Sequence, residues 1–160
     1  TRVHQMVEDY VRYGAVRDEP IVTETGATKS QYEKEDWTIF HLLRQEIEQY
    51  DYFCASELTV FNLIHGYSGT IDLVGFRNGK LQVCDIKTYR RERKAEHLIK
   101  AQLQVTLYAL ALKESYDIVI EEAEIIYANG DTGVVVVPVN LEEFHDRAID
   151  AVKKYYFLNP

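Results

Sequence analysis

The sequence predicts an α/β domain in which helices flank a central sheet, and three observations carry that expectation. Helical and strand periodicities alternate along the chain in the order helix, helix, strands, helix, strands, helix. With 160 residues, 46% hydrophobic and 28% charged, the chain is long and apolar enough to bury a core as one domain spanning residues 1–160. Finally, Asn78-Gly79 separates two strand-like runs, and Asn-Gly between such runs is a strong hairpin signal.

Each element follows from local pattern. Val3, Val7, Tyr10 and Val11 recur at helical spacing, so a first helix runs from the start to about Tyr13. Residues 14–30 carry Gly, Pro and Thr without periodicity and read as a loop. Trp37, Phe40, Leu43 and Ile47 form the apolar stripe of a second helix over about residues 31–49. Residues 53–64 are a strand candidate, and the hairpin occupies residues 69–88. Residues 95–112 have a broad apolar face that suits a helix packed on a sheet. Residues 121–128 and 133–139 read as two strands joined through Asn129-Gly130-Asp131, and residues 140–156 as a closing helix capped by Asn140.

Composition excludes several classes. The two cysteines, Cys54 and Cys84, cannot build a zinc or iron–sulfur ligand set, so no iron–sulfur cluster is expected. No apolar run approaches the ~18 residues of a membrane helix and no signal-like leader is visible, which points to an intracellular chain without membrane partners, cytoplasmic or in a nucleoid. The start at Thr1 suggests a fragment or a processed chain. A net charge of −8 argues against a general coat of positive charge for polyanions, so any nucleic-acid site has to be local.

The hairpin contains the unusual chemistry. If Asn78-Gly79 forms a two-residue type I′ turn, Arg77 faces Lys80, and continuing that register places Asp72 opposite Asp85, with Lys87 on the same face. Val74 and Val83 share this face; Ile71, Leu73, Cys84 and Ile86 fall behind it. Directly opposed residues hold their Cβ atoms roughly 4.5–5.5 Å apart. Two ionised carboxylates that close repel each other unless a cation lies between them. Lys87 supplies one charge. A divalent cation supplies two, and Mg²⁺ or Mn²⁺ suits two carboxylates, a backbone carbonyl and waters. A lysine beside such an ion orients or helps deprotonate a water for attack on a phosphodiester. The plainer alternative is a surface ion pair on a frayed strand end.

Asp72 followed by Asp85-Ile86-Lys87 on a hairpin resembles the core of the PD-(D/E)XK nuclease superfamily, with Asp where Glu is common. Residues 1–10, TRVHQMVEDY, resemble the N-terminal helix motif of its RecB-like branch, and QVTLY at 104–108 resembles that branch's QxxxY motif. The resemblance implies a restriction-endonuclease-like core with a mixed central sheet. It implies Asp72, Asp85 and Lys87 as catalytic residues, and His4, Asp72, Asp85 and the Ile86 carbonyl as metal ligands. Gln104 and Tyr108 would line the site and contact substrate; on their own they also read as an i,i+4 pair at the edge of a packed face. Glu57, on the preceding strand, stands where the family often has an acidic residue, or is a solvated strand residue. His41, His65, His97 and His145 suggest no role.

From Lys87 to Lys100 six basic residues face two glutamates, a surplus of four positive charges. Arg90, Arg91 and Lys94 are expected to grip phosphates, with Tyr89 available to stack on a base. The expected function is a Mg²⁺- or Mn²⁺-dependent deoxyribonuclease, an exonuclease acting on single strands or DNA ends in repair, recombination or replication. A non-catalytic DNA-binding or scaffold module, working with other recombination or replication proteins, is the alternative.

Overall fold

The computed structural model describes residues 1–89 and 95–159. Helix α1 (Arg2–Tyr13) starts at Thr1, whose hydroxyl accepts from the His4 amide, and ends at Gly14, where φ of 76° allows the amide to return to Tyr10. In the segment read as loop, β1 (Ile21–Val22) and β2 (Thr28–Lys29) pair as a small antiparallel ribbon. Helix α2 (Lys34–Ile47) opens with Asp36 accepting the Glu33 amide at 2.9 Å. Then come β3 (Tyr52–Asn62), β4 (Tyr67–Arg77), β5 (Lys80–Thr88), α3 (Ala95–Tyr116), β6 (Glu122–Asn129), β7 (Gly133–Pro138) and α4 (Leu141–Leu158).

The last five strands form one mixed sheet in the order β3-β4-β5-β6-β7. Only β5 and β6 are parallel, as the α3 crossover between them requires. α1 and α2 cover one face, packing Val7, Phe40 and Leu43 on Leu73, Cys84, Ile86 and Ile126. α3 and α4 cover the other, packing Val105, Tyr108 and Phe144 on Ile71, Val74, Val83 and Ile125. Among the described residues no helix is long and apolar enough to cross a membrane.

The hairpin turn has the expected form, with φ of 52° at Asn78 and 74° at Gly79. The register also holds from Arg77↔Lys80 to Leu73↔Cys84. There the ladder ends, one pair short of Asp72 and Asp85, which are not a paired row. Beyond this point β4 stays with β3 while β5 continues on β6 through Thr88. The face assignment changes too: Ile71 packs with Val74 under α3, not with Leu73 under α1. Strict alternation is broken at the parting of the strands, and Glu57 on the neighbouring strand takes a left-handed φ of 49° at the same level.

At the turn end the sheet is tied by a buried network. Tyr50 Oη donates to Glu124 at 2.9 Å and accepts from Gln82 at 2.6 Å, and Arg77 reaches Glu124 at 3.0 Å. Gly75 makes this packing possible, because a Cβ there would lie 2.7 Å from the Tyr52 carbonyl and 3.0 Å from the Tyr50 ring. Gly75→Ala should therefore cost about 1–3 kcal/mol, read as a lower midpoint in urea denaturation with an unchanged slope.

Candidate active site

The parting of β4 and β5 decides what the site presents. In a two-residue hairpin the flanking pair, Arg77 and Lys80, is hydrogen-bonded, and the pattern then alternates. By that parity Ile86 directs both its amide and its carbonyl toward β4. With the ladder ended, the Ile86 amide is taken by Asp72 Oδ2 at 2.5 Å, and His4 Nε2 meets the Ile86 carbonyl at 2.8 Å. His4 Nε2 also stands 3.5 Å from Asp72 Oδ2. Imidazole, carboxylate and backbone carbonyl thus meet in the strand gap, brought there by α1, β4 and β5.

Asp85 lies beside them, 2% exposed. Its Oδ1 accepts from Lys87 Nζ at 3.1 Å, whereas Oδ2 is buried without a hydrogen bond. Lys87 Nζ approaches Oδ2 to 2.8 Å, a charge contact outside hydrogen-bond geometry. Burial, and then the charge of Asp72, push the Asp85 carboxyl up to about 6. Lys87 also donates to Gln104 Oε1 at 3.0 Å, and Gln104 Nε2 donates to Tyr108 Oη at 2.6 Å. Burial raises the Tyr108 hydroxyl to about 12, so it stays protonated.

The sequence-predicted residues His4, Asp72, Asp85, Ile86, Lys87, Gln104 and Tyr108 are therefore brought together. Glu57 is half-buried at the same place, its carboxyl raised by burial and by the charge of Asp72. Arg90, Arg91 and Lys94 lie outside the described residues. Tyr89 stands edge-on to Tyr127, with its hydroxyl 3.2 Å from Thr132. Two contributors escaped the sequence reading. The Thr1 hydroxyl contacts His4 Nδ1, the nitrogen facing away from the gap. Gly69 seats the Tyr108 ring, since a Cβ there would lie 2.6 Å from Tyr108 Cε1. A glycine inside a strand pattern is a signal of such close approach.

Burial depresses the His4 imidazole, but Asp72 and the Ile86 carbonyl more than offset it, leaving the net shift upward. Among the described residues no three His, Cys, Asp or Glu side chains close around one point. The donors rest on one another instead: His4 on Ile86 and Asp72, Asp85 on Lys87. Their chemistry nevertheless suits a divalent cation, with hard oxygen donors plus one imidazole, and Asp85 Oδ2, which has a charge contact with Lys87 but no hydrogen bond, is a buried acceptor with capacity left over.

Helices on both faces of a five-stranded mixed sheet, with carboxylates and a lysine at a strand gap, define the class as a restriction-endonuclease-like α/β fold. The chain belongs to the PD-(D/E)XK nuclease superfamily, whose family profile matches residues 1–155. Among solved structures it is similar to a Eubacterium rectale protein described as a "Putative exonuclease", at 13% identity and a TM-score of 0.59, covering 84% of this chain. This chain spans about half, 54%, of that protein's length. A search of curated proteins returns no match.

The raised Asp85 group makes a stability prediction. A carboxyl with a folded pKa of about 6, above its unfolded value of about 3.9, stabilises the fold while protonated. That contribution is full below about pH 4 and is lost as pH rises to about 6. With a chelator present, Asp85→Asn should melt higher than wild type at pH 7, by up to about 3 kcal/mol. The gap should close at pH 4. A variant no more stable at pH 7 than at pH 4, relative to wild type, contradicts the buried repulsion.

Proposed function

We propose that the chain is a Mg²⁺- or Mn²⁺-dependent deoxyribonuclease of the RecB-like branch, an exonuclease acting on single strands or DNA ends. The observation that carries this reading is the buried, orphaned Asp85 oxygen beside Asp72, His4, Lys87 and an outward-facing Ile86 carbonyl. His4 Nε2, Asp72, Asp85 and the Ile86 carbonyl would hold the ion. When bound, it supplies a water of lowered pKa and neutralises charge developing on the phosphodiester. The description of the Eubacterium rectale neighbour supports end-directed cleavage, and its low identity supports nothing finer.

The chain's own residues divide the remaining work. Lys87 has three donors; Asp85 and Gln104 take two, leaving one for a water or a phosphate oxygen. Gln104, fixed by Tyr108, holds the ammonium toward Asp85. His4 bound through Nε2 would carry its proton on Nδ1, where the Thr1 hydroxyl is available to accept it. Arg90, Arg91 and Lys94 would bind phosphates of the strand.

Digestion of end-labelled single- and double-stranded DNA with Mg²⁺, Mn²⁺ or EDTA tests the reading. Cleavage should require the metal, and Asp72→Asn, Asp85→Asn and His4→Ala should each weaken calorimetric Mn²⁺ binding. Lys87→Ala should lower turnover on the order of 10²-fold or more with DNA affinity nearly intact. Wild-type protein that binds DNA yet stays inert under every metal would point to the scaffold role instead.

Gly69→Ala tests the support behind Lys87. Displacing the Tyr108 ring should lower turnover by roughly one to two orders of magnitude with little change in KM, and Tyr108→Phe, which keeps the ring but removes the bond to Gln104, should lower it in the same sense. Wild-type turnover in Gly69→Ala would show that the ring's seat does not matter.

A further inference from the structure

Past the point where β5 leaves, β3 and β4 remain paired from Leu58↔Ile71 to Asn62↔Tyr67, forming a two-stranded wing that extends beyond the carboxylates. α3 seals one face of it. Val60 is 1% exposed, Tyr67 Oη donates to the Leu107 carbonyl at 2.7 Å, and Asn62 Nδ2 donates to Glu114 at 2.7 Å. The opposite face carries Thr59, Phe61, Ser68 and Thr70, all exposed, with Phe61 at 51%. Thr59 pairs with Thr70 and Phe61 with Ser68, so the face is two successive rows about 7 Å apart. Thr70 lies two residues before Asp72 in β4, so the wing begins at the edge of the strand gap that holds the carboxylates.

Two properties decide what fits this face. None of its four side chains is charged, in a chain of net charge −8, so it adjoins the site without presenting a carboxylate to a polyanion. It is also mostly hydroxyl, with one aromatic ring; the exposed Leu63 and Ile64 lie in the turn beyond it. Hydroxyls donate to phosphate and sugar oxygens, and a ring stacks on a base. A duplex keeps its bases stacked on one another; an unpaired strand offers their faces.

We infer that the open face of the β3–β4 wing is a track for an unpaired nucleic-acid strand, with Phe61 as its stacking platform. This rests on the nuclease reading of the adjoining site and names the form of substrate that site receives. Thr59, Thr70 and Ser68 contact the backbone of the strand, and Phe61 holds a base two rows out from the carboxylates. No base-specific contact is built into the face, so binding is tolerant of sequence.

The test is fluorescence anisotropy with a labelled single-stranded oligonucleotide in EDTA, which separates binding from cleavage. Phe61→Ala should weaken binding roughly tenfold or more, and Phe61→Trp should restore it. Thr70→Glu, which adds a carboxylate to an exposed position, should also weaken it. Affinity for a blunt duplex of the same sequence should change less than twofold in all three. Unchanged single-strand affinity in Phe61→Ala and Thr70→Glu overturns the track, as does a shift in oligomeric state on size exclusion, which assigns the ring to a protein contact. Wild-type protein that binds through Phe61 but cleaves no DNA removes the nuclease reading and retains the track.

Discussion

The Ile86 peptide is the point on which the site depends. β5 pairs with both β4 and β6 from Gln82 to Cys84 and then continues on β6 alone through Thr88. At the parting, one amide and one carbonyl lose their ladder partners. An unpaired buried amide costs about 1–3 kcal/mol. Asp72 satisfies the amide through its side chain, so its carboxylate is part of the fold before it is part of any chemistry. The carbonyl is placed as firmly, because the Ile86 side chain is 1% exposed in the core beneath α1 and α2. A backbone acceptor aimed into a cleft thus inherits the rigidity of the hydrophobic layer behind it.

Costs and supports are concentrated around that peptide. Asp85 is buried near Asp72 with one oxygen unsatisfied, and Glu57 sits in a conformation that non-glycine residues seldom adopt. Neither arrangement helps the chain fold. Opposing them is a line of contacts from Gly69 to Tyr108, Gln104, Lys87 and Asp85, each anchored in a strand or in α3. The core on both faces of the sheet holds local groups in positions they would not take alone, which is the usual relation between stability and a functional site.

The sequence carried much of this, and where it failed the missing information was non-local. Asn78-Gly79 fixed the hairpin register because turn type sets which residues face each other. Extending that register to Asp72 and Asp85 went one pair too far, because the parting is set by β6 and β3, partners distant in sequence. The β1–β2 ribbon was missed because strands of two residues have no period to detect. α3 runs past Leu112 to Tyr116, where apolar periodicity has lapsed but Ser115 and Tyr116 bond the backbone of β3 and its turn. His4 had no local signal for the gap; it entered through the resemblance of its helix motif to the RecB-like branch, and the match over residues 1–155 bears out the superfamily alone. Its contact with Ile86 spans 82 residues of sequence.

The net charge of −8 is spread over unlike surroundings. Glu121, Glu122, Glu124 and Glu142 line a groove where β6 begins. β5 begins there too, since Gln82 pairs with Glu122, while the carboxylate site lies at the other end, where Thr88 pairs with Ala128. Arg77 and Lys80 pair with Glu124 and Glu122 there, while Asp72, Asp85 and Glu57 load the other end, so carboxylates stand at both ends of the sheet. What distinguishes the two ends is therefore pairing and not sign: carboxylates at the turn end are held by Arg77 and Lys80, whereas Asp72, Asp85 and Glu57 crowd one another beside Lys87. Net charge is thus a poor guide to a local site, because it sums carboxylates whose surroundings differ.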